Sequence, residues 1–172
     1  MIQKKHPLVE YLEKIRDRDD RATMAKLRRG LGKRMGTPDM YPYVVNFLPK
    51  SLWMQEHCFL VAALFALHPE RAPLGRNMGA VFKVIQRLDP TDSIEKRFIR
   101  LLNADSDDMG YHLKQAVSLA KSKGVTIDYH RLIADLTNWN HEDRFVQLAW
   151  AKEYWKEQQE TTHNETQEGD QA

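Results

Sequence analysis

Three stretches of this 172-residue chain carry residue types that could do chemistry. The first is Gly30-Leu31-Gly32-Lys33-Arg34-Met35-Gly36, which would cradle a phosphate if its glycines were correctly spaced. A phosphate loop needs a glycine well ahead of the Gly–Lys pair and a hydroxyl residue after it, but Leu27 and Arg34 stand there. The dinucleotide pattern fails at Met35, which takes the third glycine position, so the run is expected to be a glycine-rich helix stop. The second stretch, Asp105-Ser106-Asp107-Asp108-Met109-Gly110, starts like a calcium loop. It lacks the closing bidentate carboxylate, since Ala116 sits at that position, and it is expected to be an acidic helix start. The third, His141-Glu142, lacks the second histidine of a zinc protease because Phe145 replaces it. None of the 7 histidines pairs with another at i, i+4. The lone cysteine, Cys58, lies in an apolar run, where an inert buried thiol is the ordinary outcome. No catalytic activity, metal or cofactor is expected from these residues.

Basic residues make the stronger pattern. Lys26, Arg29 and Lys33 would fall on one face of a helix, with Met24, Leu27 and Leu31 on another. Arg28 and Arg21 make a second short row. A helix that is merely solvated gains from i, i+4 acid–base pairs, and this one has none. Like charges at that spacing cost a few tenths of a kcal/mol per pair, a cost that phosphates would remove. Arg76, Lys83, Arg97, Arg100, Lys114 and Lys121 follow singly, the last two seven apart and hence on one helix face.

The overall charge of +2 conceals this pattern. Residues 1–100 hold 19 Lys+Arg against 11 Asp+Glu, and residues 101–172 hold 7 against 13. The 42% hydrophobic content excludes disorder of the whole chain, and the single cysteine excludes a disulfide scaffold. The charged N-terminus is unlike a signal peptide, and the longest apolar run, Cys58–Leu67, is too short to span a membrane. A cytoplasmic location with no membrane partner is therefore expected. An all-α fold of eight or nine helices fits the spacing, packed as one bundle or two sub-bundles, with 1–160 as the domain and 161–172 as a disordered acidic tail.

The elements that must position the basic residues follow from caps and stops. Pro7 opens a helix, Asp20 caps Arg21–Leu31, and a short helix runs from Pro42 to Leu48. Ser51 caps Leu52–His68, which is apolar all round and so should be central. Helices over 75–88, 93–103 and 106–122 follow, the second opened by an Asp92/Glu95 capping box and the third stopped by Gly124. Asp128 caps Tyr129–Thr137, and Asn140 caps a last helix from His141 to about Gln159.

In order along the chain, several motifs resemble one known family. They are Arg21-Ala-x-Met-Ala-x-Leu-Arg28-Arg29, Leu74-Gly75-Arg76-Asn77-Met78, Arg97-Phe-Ile-Arg100, Tyr111-His112-Leu-Lys114 and Lys121-Ser-x-Gly124-Val-x-Ile-Asp128-Tyr129. Together they resemble the small subunit of the type I-E CRISPR interference complex, the CasB family of Cascade. The resemblance runs from about Arg21 to Trp155. It implies a non-catalytic helical subunit that packs with a second copy of itself and with other Cascade subunits. Its partners would be the CRISPR guide RNA and the target DNA, with the displaced single strand held so that the R-loop is stabilised. Positively charged family positions match at Arg28, Arg29, Arg76, Arg100 and Lys114. Lys26, Lys33, Lys83 and Lys121 join them from helix geometry. No counterpart in the family matches the acidic tail. Since the guide reads sequence in an R-loop, a protein that steadies it needs only backbone contacts.

Two other classes fit parts of the chain. A helix-turn-helix regulator would need a base-reading helix, for which Asn77 and Gln86 are the nearest candidates. A helical adaptor without nucleic-acid binding would need only the apolar spacing.

Overall fold

Cys58 to Leu67 has no polar face to turn toward water, so the chain must cover it on every side. The computed structural model describes residues 4–167, with side chains from Lys4 to Lys156. Among the described residues the fold is nine α-helices and no strand. These are α1 (Pro7–Asp17), α2 (Arg21–Arg28), α3 (Tyr41–Val44), α4 (Leu52–Leu67), α5 (Met78–Leu88), α6 (Asp92–Leu102), α7 (Met109–Ser122), α8 (Tyr129–Thr137) and α9 (Phe145–Gln167). Short 3₁₀ turns flank α3 at Pro38–Met40 and Val45–Phe47.

α4 takes the central position. Cys58, Phe59 and every residue from Val61 to Ala66 are buried. Helices α1, α2 and α3 pack on it from the N-terminal side of the chain, α7 and α8 from the other. Beside this group α5 packs on α6, α7 and α9, and α6 packs on α7. The buried side chains form one continuous cluster, so the two groups share a core. Gly79 makes the α5–α9 contact close, because a Cβ there would collide with the Trp150 carbonyl.

A buried helix end leaves carbonyls that water cannot reach, and α4 solves this with its neighbours. The Tyr129 hydroxyl lies 2.9 Å from the carbonyl oxygens of both Leu64 and His68 and donates there. Burial pushes this phenol far above its usual range, so it remains a donor. The His68 ring donates from Nε2 to the Val125 carbonyl at 2.8 Å. Gly124, with φ of +67°, closes α7 and lets Val125 reach that point.

Several boundaries differ from the sequence expectations. α2 stops at Arg28 instead of Leu31; the chain then turns through the glycine run, with Gly32 at a φ of +78°, and Gly30 is buried against Met40, whose sulfur a Cβ there would strike. Lys33 therefore lies beyond the helix and off the expected stripe. α5 starts at Met78, capped by the Asn77 side chain onto the Ala80 N–H at 3.0 Å. Thr91, not a capping box at Asp92, precedes α6, and its hydroxyl bonds to Ser93 instead of a backbone N–H. Ser51 holds the N-cap position of α4 without a side-chain cap bond. α7 begins at Met109 because the Asp105 carboxylate first accepts the N–H groups of Asp107 and Asp108 in a closed turn. Asn140 does not cap α9. It donates to the Ser106 hydroxyl, and α9 starts at Phe145 after Arg144, whose φ is +50°. The Arg144 guanidinium holds that turn by donating to the Leu102 carbonyl at 2.8 Å. α9 continues to Gln167, past the expected end near Gln159 and into the segment assigned to the tail. Residues 168–172 of that tail lie outside the described residues.

Two outcomes follow. Tyr129→Phe keeps the ring packed on Phe65 at 5.3 Å but leaves the His68 carbonyl without its donor, while the Leu64 carbonyl keeps the His68 N–H at 3.1 Å. It should lower unfolding stability by about 1–3 kcal/mol in a denaturant titration. His57 is buried on α4, and burial lowers its pKa to about 4. The unfolded chain takes up this proton near 6.5, whereas the folded chain resists it until about 4. Stability should thus fall by up to ~3 kcal/mol as pH drops through that window, and His57→Gln should lose that share of the slope in unfolding curves taken at several pH values.

Candidate nucleic-acid interface

Some of the basic candidates, from both halves of the chain, gather along one side of α4. Arg28 ends α2, and Lys121 lies in the last turn of α7, each where a cation complements the helix dipole. They face a cleft of about 750 Å³ that Arg21 also lines, with Ala66 to Pro69 at the end of α4 as its floor. Of the three acids that line this cleft, Asp19 and Asp20 are engaged, and Glu70 pairs with no cation among the described residues. Asp20 caps α2 on the Thr23 N–H at 3.0 Å, and that bond holds its carboxyl below the usual carboxylate range. Asp19 pairs with Arg21 at 3.2 Å. Among the described residues Arg28 and Lys121 form no ion pair or hydrogen bond of their own.

Further along α4, Lys33 and Lys114 face a second hollow of about 350 Å³. Its floor includes His57 and Leu60. Arg34 reaches it too but is tied to Glu56 at 2.7 Å, while Lys33 and Lys114 have no such partner among the described residues. Both hollows therefore share α4 as floor, with the α2 side as one bank and α7 as the other. Lys114 and Lys121 stand about 10 Å apart on that second bank, one at each hollow. Arg97 and Arg100 of α6 line a third, smaller hollow of about 180 Å³ on the far side of α7.

The remaining sequence candidates lie apart from these hollows. Lys26 sits half-buried over the Tyr43 ring at 5.8 Å, and Arg29 pairs with Asp39 at 3.4 Å. Arg76 is half-buried in the loop before α5, and Lys83 is half-buried on α5. Neither lines the three hollows.

Tyr111 enters the sequence reading only as part of a family motif and not as a binding candidate, yet it is 63% exposed and borders both the Lys114 hollow and the Arg100 hollow. Its signal was its position three residues before Lys114 on one helix. The base-reading candidates of a helix-turn-helix are committed elsewhere. Asn77 is buried and caps α5, and Gln86 accepts from the Tyr154 hydroxyl at 3.1 Å.

No group of three or more metal-ligating side chains occurs among the described residues. Burial pushes the Cys58 thiol up to about 11 and keeps His57 neutral at physiological pH, so neither is primed as nucleophile or acid. No described helix is long and apolar enough to cross a membrane. What the surface offers is positive charge on a fixed helical frame.

Comparison with known proteins agrees with that frame. The family described as CRISPR-associated protein Cse2 matches residues 23–155. A CRISPR-associated protein Cse2 of Thermus thermophilus is 39% identical over 138 residues, covering 78% of this chain and 79% of that protein. The crystal structure of CasB from Thermus thermophilus superposes with a TM-score of 0.76 at 33% identity, covering 87% of this chain and 96% of that one. A chain from a CRISPR RNA-guided surveillance complex superposes with a TM-score of 0.73 at 29% identity, covering 91% and 94%. The matched segment holds all nine basic candidates and the whole of α4, and on that ground this chain belongs to the CRISPR-associated Cse2 family, also called CasB.

Proposed function

We propose that this chain is a non-catalytic subunit of an RNA-guided DNA surveillance complex of the Cascade type. It steadies the R-loop by holding the displaced strand and the guide–target duplex through their backbones. The observation that carries this reading is the placement of unpaired cations. Arg28 and Lys121 share one hollow, Lys33 and Lys114 the next, and Arg97 and Arg100 the third. Burial of α4 makes the first two hollows consecutive, so a strand could pass from one to the other.

The chemistry suits a holder that does not read sequence. Lysine and arginine on phosphates bind any sequence, and each contact releases counterions. R-loop formation exchanges one duplex for another of about equal stability, so a few kcal/mol of backbone contact tips it. The related chain in a CRISPR RNA-guided surveillance complex supports the setting. Other Cascade subunits, the guide RNA, the target DNA and a second copy of this chain are the proposed partners, acting in the cytoplasm.

Arg28→Glu combined with Lys121→Glu should leave the fold intact and lower the thermal midpoint by only a few degrees, since the two reversals cost favourable helix-end charges but, among the described residues, neither side chain makes a bond within the fold. In a complex reconstituted with guide RNA and the other subunits, target affinity should fall. The slope of log affinity against log salt should drop by about 2. Wild-type affinity and slope in the double variant would overturn the proposal.

A further inference from the structure

Tyr111 stands on the crest between two cationic hollows. On one side are Lys33 and Lys114, on the other Arg97 and Arg100. The buried face of α7 is made by Met109, Leu113, Ala116, Val117 and Ala120. Tyr111 is turned away from that face and stays 63% exposed. Its ring meets His112 edge-on, with centroids 5.3 Å apart at 77°, a contact that leaves the ring largely exposed.

We propose that Tyr111 is a stacking platform for one unpaired base of a single-stranded nucleic acid. The strand crosses the α7 crest with phosphates toward Lys114 on one side and Arg100 on the other. Lys114 follows Tyr111 by three residues and lies beside it on the helix surface. α6 packs on α7, which brings Arg97 and Arg100 to the opposite flank. An exposed aromatic between cations is the arrangement that single-strand binders use. Every base has a face to stack, so the contact tolerates any sequence. A duplex cannot use it, because paired bases hide their faces. The platform therefore selects the unpaired strand, where phosphate contacts alone would hold duplex as well. The second hollow, at about 350 Å³, lies within the ~300–1,000 Å³ range of small-molecule sites and can admit one nucleotide.

This inference rests on the nucleic-acid reading above, and one experiment separates their failures. The purified chain is titrated with an oligothymidine strand carrying one fluorescent adenine analogue, at several salt concentrations. Wild type and Tyr111→Phe should bind equally and quench the analogue by stacking. Tyr111→Ala should bind about 5- to 150-fold more weakly, the worth of one base–aromatic stack, with its salt slope unchanged and the quench lost. Salt-dependent binding by the wild type without quenching would overturn the platform and leave the charge-based reading standing. So would Tyr111→Ala binding and quenching like wild type. No single-strand binding by the wild type at low salt would overturn both.

Discussion

The arrangement of the whole molecule depends on burying a helix that is apolar on every side. α4 cannot lie on a surface, so helices must flank it on both sides, and its last carbonyls must find donors inside the protein. Tyr129 meets that requirement, and the His68 ring, donating to the Val125 carbonyl, ties the end of α4 to the α7–α8 connection. Once α7 and α2 lie on opposite sides of α4, their outward residues face each other across its half-buried edge at Leu60 and Leu67. The two larger hollows are the consequence of that packing.

The same packing decides which charges are left for a partner. A surface cation beside an acid has little to offer a phosphate, because its field is already balanced. Arg21, Arg29 and Arg34 are of this kind, paired with Asp19, Asp39 and Glu56. Arg28, Lys33, Lys114 and Lys121 are not paired among the described residues, and they are the ones that line the two hollows on α4. Weak, distributed charge of this sort suits a subunit inside a larger assembly. Guide pairing supplies the sequence specificity there, and over-tight binding of any nucleic acid would hinder release.

Much of the fold was legible in the sequence because apolar spacing and short-range caps are local signals. The central position of α4 follows from its run of apolar residues, and Asp20 and Asp128 cap their helices as expected. The failures came where tertiary contacts override local preference. The glycine run signals a helix stop, but nothing local shows that it comes as early as Arg28, with Gly30 packed on Met40, which takes Lys33 off the helix. Nothing local shows that Asn140 would serve Ser106, or that Arg144 would adopt a left-handed turn held by the Leu102 carbonyl. The site was legible as a list of basic residues and illegible as a surface. Which cations share a hollow depends on α2 and α7 both packing on α4, contacts between distant parts of the chain. Tyr111 escaped notice because an aromatic residue in a helix usually belongs to the core, and only the folded position of α7 shows it facing outward.

The central claim is that this chain holds an unpaired strand without reading its bases. It is tested most directly by nuclease footprinting of the displaced strand in the assembled, guide-bound complex, with and without this chain, on targets of unrelated sequence. The account predicts protection of the displaced strand on every target, lost when the chain is omitted. Protection that persists without the chain, or that appears on some displaced-strand sequences and not others, would contradict it.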